Sequence, residues 1–202
     1  MKTFLHVGCG PQNKSHLRGF NNDNWNEIRL DIDESVNPDV VGTLTDMQSV
    51  EARSVDAVYS SHSIEHIFPH EVPVALSEFY RVLKEDGMVV ITCPDLQSVC
   101  EAVVQDKLLE PLYDTPWGPI SPIDILYGHR GQIAQGNEYM AHKGGFTYSV
   151  LDRTFYEVGF KTRVGGRRPE FWDLFLVAFK QEKSDEEVHE IALPFIPNPQ
   201  FE

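Results

Sequence analysis

Phe4-Leu5-His6-Val7-Gly8-Cys9-Gly10 is the stretch on which the reading of this chain turns. An apolar run that ends on a glycine predicts a buried strand, Phe4 to Val7, entering a tight turn. Glycines directly after a first strand let the backbone approach a ligand, because no Cβ stands in the way. A dinucleotide loop of the G-x-G-x-x-G kind wants a third glycine at position 13, where Asn13 stands, and this argues against a nicotinamide-dependent oxidoreductase. The second signal is Asp31, at the end of a strand predicted over Glu27 to Leu30, with Asp33 as the alternative carboxylate. An acidic residue roughly 20 positions after the loop is placed to bond ribose hydroxyls. Loop and carboxylate together point to an adenosine-containing cofactor.

Further out, Val40-Val41 and Val55 to Ser60 read as short strands. His70 to Lys84 reads as a helix, because Val72, Ala75, Leu76, Phe79, Tyr80 and Leu83 recur at three- and four-residue spacing. Pro73 fits near its first turn, and Gly87 is expected to stop it in the left-handed conformation. Met88 to Thr92 is a fifth strand closed by Pro94. A helix is expected over Ser98 to Gln105, followed by an irregular stretch from Pro111 to Phe146. Ser149 to Val158 is helical and stopped by Gly159. Lys161 to Val164 and Trp172 to Phe179 are two last strands with a turn at Gly165-Gly166. Strands alternating with helices imply a mainly parallel sheet, and a closing pair of strands with no helix between them implies one antiparallel strand.

Three segments now carry a resemblance. Leu5 to Gly10 with Asp31 is the first. Ser54-Val55-Asp56-Ala57-Val58-Tyr59-Ser60-Ser61-His62-Ser63-Ile64-Glu65-His66 is the second, and Tyr80-Arg81-Val82-Leu83-Lys84-Glu85-Asp86-Gly87-Met88-Val89-Val90-Ile91 is the third. In this order and spacing they resemble a class I S-adenosylmethionine-dependent methyltransferase of the small-molecule type. The likeness runs from about residue 3 to 95, and the final helix and strand pair also fit. It implies an α/β, Rossmann-like, doubly wound sheet of seven strands, mainly parallel with the last strand antiparallel. Helices would cover both faces, and a lid would be inserted after the fifth strand at about 95–146.

The resemblance also implies site roles. Gly8, Cys9 and Gly10 would lie beneath the amino-acid part of S-adenosyl-L-methionine, Asp31 on its ribose and Ile32 beside it. The adenine would be flanked by Thr43, Leu44 and Asp46. An acidic residue is common in the family where Thr43 stands and where His6 precedes the loop, so both are departures within the cofactor set. Ser60, Ser61 and His66 would face the methionine end, and His62 is the first choice of polar group near the transferring methyl. No helices precede the first strand, so cover for the cofactor must come from the lid or a partner chain.

His62-Ser63-Ile64-Glu65-His66 also reads as H-x-x-E-H, an inverted zinc-protease pattern. A metal on His62, Glu65 and His66 is the lesser reading. The favoured one has no metal, with Glu65 and His66 satisfying backbone groups. The lid gathers Tyr127, His129, Tyr139, His142 and Phe146 in a segment otherwise without periodicity. A binding lid explains that clustering. Its histidines, like His62, are candidates to deprotonate an acceptor near neutral pH, and Tyr127, Tyr139 and Phe146 are candidates to line its site.

With 202 residues and 41% hydrophobic content, one domain is expected over 1–183, with an acidic and apolar tail over 184–202. The net charge of −14 disfavours nucleic acid, and no apolar run is long enough for a membrane span. Arg163, Arg167 and Arg168 are expected on a solvated hairpin. Cys9, Cys93 and Cys100 form no paired framework, which fits a cytoplasmic setting, and all three are expected to be buried or partly so. The tail segment Leu193 to Pro197 is a candidate homodimer contact or a cap on its own sheet. The expected activity is methyl transfer to an oxygen or nitrogen of a small-molecule acceptor. The alternative is a non-catalytic, cofactor-binding regulatory module.

Overall fold

The structure, a computed structural model, describes residues 1–195. Its strands are β1 (Lys2–Val7), β2 (Trp25–Asp31), β3 (Val40–Val41), β4 (Val55–Ser61), β5 (Leu83–Pro94), β6 (Tyr113–Thr115), β7 (Gly118–Ile120), β8 (Thr162–Arg168) and β9 (Asp173–Phe179). Its helices are α1 (Val72–Val82), α2 (Leu96–Val104), α3 (Pro122–Tyr127), α4 (Arg130–Ala134), α5 (Tyr148–Val158) and α6 (Asp185–Ala192). Seven strands make one sheet in the order β3-β2-β1-β4-β5-β9-β8. Strands β3 to β5 pair in parallel, and β9 runs antiparallel between β5 and β8. The expected seven-stranded α/β sheet is therefore present, with its last strand in chain order antiparallel.

Alternation along the strands sorts side chains into two cores. Leu5, Val7, Val58, Val89 and Ile91 face α1 and α5, whose stripe residues Leu76, Phe79, Leu151 and Phe155 are fully buried against them. Phe4, Ala57, Val90 and Val177 point the other way. That second face carries little helix. It is covered by Leu17 and Phe20 of the loop after β1, and by Val188 and Ala192 of α6. The acidic tail thus folds back as a helix, opened by a Ser184–Glu187 capping box, and Phe195 packs on Phe20 and Trp25. Ile196 and Pro197 lie outside the described residues.

Several local expectations are corrected. Gly87 does not stop a helix. The chain passes from α1 straight into β5 at Leu83, and Gly87 sits where the β4–β5 register shifts. A Cβ there would press within 2.9 Å of Leu83 and 3.0 Å of the Lys84 carbonyl, so the residue serves close approach rather than a left-handed turn. Gly165 and Gly166 are not a turn either. Both are buried in β8, where a Cβ on Gly165 would stand 2.5 Å from the Phe175 carbonyl; the turn is Pro169–Phe171. The stretch 111–146 is not structureless but holds the β6–β7 hairpin, α3 and α4. Cys9 and Cys93 are buried, whereas Cys100 is exposed on α2. Arg163, Arg167 and Arg168 do not form a solvated patch: they pair with Asp152, Asp95 and Asp173, which draws them into the fold.

A polar latch fixes the loop after β1. Buried His6 donates from Nδ1 to Glu27 Oε1 at 2.8 Å, and Glu27 Oε2 accepts from the Lys14 backbone at 2.8 Å. Burial lowers the His6 pKa by more than the Glu27 carboxylate raises it, so the ring is neutral in the folded state.

Two outcomes follow. Val188→Asp, which places a charge in the second core, is expected to lower the free energy of unfolding by on the order of 3 kcal/mol in urea titration. A change below about 0.5 kcal/mol would show α6 undocked. Because the folded pKa of His6 lies below its unfolded value, its contribution is complete above about pH 6.5 and is lost as pH falls through the folded pKa. The wild-type chain should therefore lose more stability than His6→Gln between pH 7.5 and 5, and equal losses would count against a neutral His6.

Candidate active site

The C-terminal ends of β1, β2, β4 and β5 lie along one edge of the sheet, and strand order reverses between β1 and β4. A crevice at such a switch point is where open α/β sheets bind ligands. Gly8 and Gly10 turn there with φ of +66° and +50°. A Cβ on Gly8 would collide with the Ser63 side chain, while a Cβ on Gly10 would meet nothing within 4 Å. The first glycine therefore lets the turn after β4 pack onto the loop, and the second leaves open space above it. Gly10 N–H donates to Asp31 Oδ2 at 2.7 Å, and Asp33 N–H to Asp31 Oδ1 at 3.0 Å. Arg29 clasps the same region from below, donating to the carbonyls of Gly10, Gln12, Val36 and Asn37. Cys9 points inward, and burial pushes its thiol up to about 11, so it offers the site backbone only.

Ile32 stays 45% exposed beside Asp31, an apolar surface at the crevice. Thr43 and Asp46 bridge each other through their backbones at 3.4 and 3.3 Å, making a small turn around half-buried Leu44. That turn is pinned from α1. Arg81 pairs with Glu78 at 2.7 Å and donates to the Met47 and Val50 carbonyls, and Glu78 Oε2 accepts from Met47 N–H. The arginine of the Arg81-to-Gly87 segment thus holds the loop on the Thr43 side of the crevice.

At the end of β4, Ser60 is fully buried and its hydroxyl finds no partner, while Ser61 shares a hydrogen bond of 2.7 Å with Thr92. His62 takes a left-handed φ of +51°, uncommon for a residue with a Cβ. This turns its ring between two carboxylates, with Nε2 3.4 Å from Asp173 and Nδ1 3.5 Å from Glu65. Burial opposes its charge, but the two acids outweigh that and push its pKa upward. Asp173 is itself held by Arg168. Neither Asp173 nor Arg29 is visible as a site residue in sequence, since Asp173 meets His62 and Arg29 meets the Gly10 carbonyl only in the folded chain.

Glu65 is 1% exposed, and its carbonyl accepts from Lys143 and Gly144 at 2.8 and 3.1 Å, so the end of the lid is stitched to the turn after β4. This brings His142 onto His66, ring centroids 4.7 Å apart. The other lid residues separate. His129 caps α4, its Nδ1 accepting from Gln132 N–H. Tyr127 and Tyr139 are 66% and 58% exposed on the lid's surface, whereas Phe146 is buried in the main core. Gly128 (φ +98°) lets the turn at Met140 press against α3, because a Cβ there would strike the Met140 carbonyl.

Residues 5–91 match the family model of the methyltransferase domain. No protein of curated function matches the sequence. Among solved structures, the chain is similar to a SAM-dependent methyltransferase of Archaeoglobus fulgidus, with TM-score 0.55 and 16% identity over 88% of this chain and 85% of that one. It is similar to one of Listeria monocytogenes, with TM-score 0.54 and 17% identity over 90% and 92%. It is also similar to the 1,6-didemethyltoxoflavin-N1-methyltransferase of Burkholderia thailandensis, which holds its substrate and S-adenosylhomocysteine, with TM-score 0.56 and 14% identity over 90% and 72%. These likenesses are of fold, and the matched segment 5–91 contains the glycine loop, Asp31 and the whole turn after β4. Residues 5–91 thus match a methyltransferase domain, and the chain shares the fold of these three methyltransferase structures.

Proposed function

We propose that the chain transfers the methyl group of S-adenosylmethionine to an oxygen or nitrogen of a small-molecule acceptor held under the lid of about residues 95–146. The observation that carries this reading is the bond between Gly10 N–H and Asp31, 2.7 Å long, which joins the two cofactor signals at the switch point. Each Asp31 oxygen accepts one backbone N–H and keeps a further lone pair for a ribose hydroxyl. Gly8, Gly10, Ser61 and the backbone near Ser63 receive the methionine end. Ile32, Leu44 and the Thr43–Asp46 turn flank the adenine. Cys9 and Ser60 contribute shape, and His6 acts through Glu27 on the loop.

The acceptor would lie beyond Ser61, between His62 and the lid. His62, ion-paired on both nitrogens, fixes the turn after β4 beside the acceptor. His142 is the lid histidine that reaches the turn after β4, against His66; His129 and Phe146 support the lid, while Tyr127 and Tyr139 offer it exposed rings. Arg163, Arg167 and Arg168 are paired to aspartates, and the net charge is −14, which favours a small acceptor over nucleic acid. Methyl transfer needs an acceptor lone pair in line with the sulfonium methyl, so positioning supplies much of the rate.

Asp31→Ala is expected to weaken S-adenosylhomocysteine binding about ten- to hundredfold by calorimetry, the value of charge-assisted hydrogen bonds. Wild-type affinity in the variant, or no affinity in the wild type, would end the assignment. Gly128→Ala should prise the Met140 turn from α3, speed protease cleavage within 106–146 and remove turnover, while leaving S-adenosylhomocysteine bound. Unchanged cleavage would show that the close approach at Gly128 does not hold the lid.

A further inference from the structure

We infer that Glu65, His66 and His142 form a divalent-metal site whose open position takes the acceptor's oxygen. The role at the acceptor rests on the methyl-transfer reading; the metal site does not. The inference begins with Glu65. Its carboxylate is 1% exposed, and neither oxygen receives a hydrogen bond. His62 stands 3.5 Å from one oxygen as an ion pair, but is shared with Asp173 on its other nitrogen. A buried carboxylate without hydrogen bonds is costly and needs an explanation.

The two histidines supply one. His66 Nδ1 faces the Ala141 carbonyl at 3.2 Å and His142 Nδ1 faces the Ile125 carbonyl at 2.7 Å. A carbonyl can only accept, so each ring carries its proton on Nδ1 and presents a bare Nε2 lone pair. This is how metal-binding imidazoles are held. One ligand atom from each of the three residues lies within 4.8 Å of the others. Around a tetrahedral zinc, ligand atoms stand roughly 3.4 Å apart, so the three must close by about an ångström. Two imidazoles and a carboxylate suit zinc and its first-row neighbours, and three protein ligands leave one position free. His62 is not a ligand here, because both of its nitrogens face carboxylates; His142, from the lid, takes the place that the sequence pattern suggested for it.

The cluster lies where the lid meets the turn after β4, and His66 is three residues beyond Ser63, whose hydroxyl stands 3.5 Å from the Gly8 carbonyl. An acceptor hydroxyl bound there would be made more acidic and release its proton to solvent. Its oxygen lone pair would form the new C–O bond as the methyl C–S bond breaks, with the electron pair passing to sulfur to leave a neutral thioether. Because one ligand comes from the lid, metal binding would also fasten the lid.

The test uses the full chain with zinc chloride in calorimetry and cobalt(II) chloride in visible absorption. The wild type is expected to take up one equivalent of zinc and to show a cobalt band that acetohydroxamate, an oxygen chelator, shifts. His142→Ala and Glu65→Gln should each weaken zinc binding more than about tenfold, whereas His16→Ala, an exposed histidine on the loop after β1, should not. If one variant fails to fold, the other and the wild-type stoichiometry decide. No zinc uptake by the wild type, or equal loss in His16→Ala, would overturn the site, and an unmoved cobalt band would overturn its open position. S-adenosylhomocysteine binding measured on the same samples separates the two readings. Zinc bound without it sinks the methyl-transfer assignment alone, and the converse sinks the metal site alone.

Discussion

The hydrogen bond from Gly10 N–H to the Asp31 carboxylate joins the ends of two neighbouring parallel strands, and the cofactor side of the molecule depends on it. Parallel pairing sets β1 and β2 side by side but says nothing about the chain beyond their last residues. The bond extends the order by three residues, and Arg29 completes it by taking the Gly10 carbonyl and the two carbonyls after β2, Val36 and Asn37. The loop is therefore held by the protein's own hydrogen bonds, which lowers the ordering cost of binding.

A second theme is economy of cover. One face of the sheet has α1 and α5, whereas the other relies on a loop with a short 3-10 turn and on α6. Phe4, Phe20 and Trp25 make aromatic contacts there that a helix would otherwise provide, with Phe4 and Phe20 stacked at 4.2 Å. Helix α6 is thus structural, and its acidic residues sit on the solvent side while Val188 and Ala192 are buried.

The polar groups beyond β4 form a continuous row from Arg168 through Asp173 and His62 to Glu65. Such a row is stable only if its charges alternate, and it does so up to Glu65, the member without a hydrogen bond. The row ends where the lid is stitched down by Lys143 and Gly144. One residue, Glu65, thus ends the polar row with its side chain and anchors Lys143 and Gly144 with its carbonyl.

The fold was legible in sequence because its signals are local. The Phe4-to-Gly10 strand and turn, the α1 stripe and the Gly159 stop each follow from spacing within one element. Gly87 and Gly165 were misread because a glycine needed for close approach looks, in one dimension, like a glycine needed for a turn; only the neighbouring strand tells them apart. The arginines of β8 were misread for the same reason, since Asp95 lies 72 residues from Arg167. In the site, the sequence by itself determined the glycine loop, Asp31 and the pattern Glu65-His66. Tertiary structure alone decided that His62 belongs to Asp173, that Phe146 is core, and that His142 crosses from the lid to His66. Local periodicity records which face of an element is buried, but a polar group's partner is chosen by contacts between elements, and those exist only once the chain has folded.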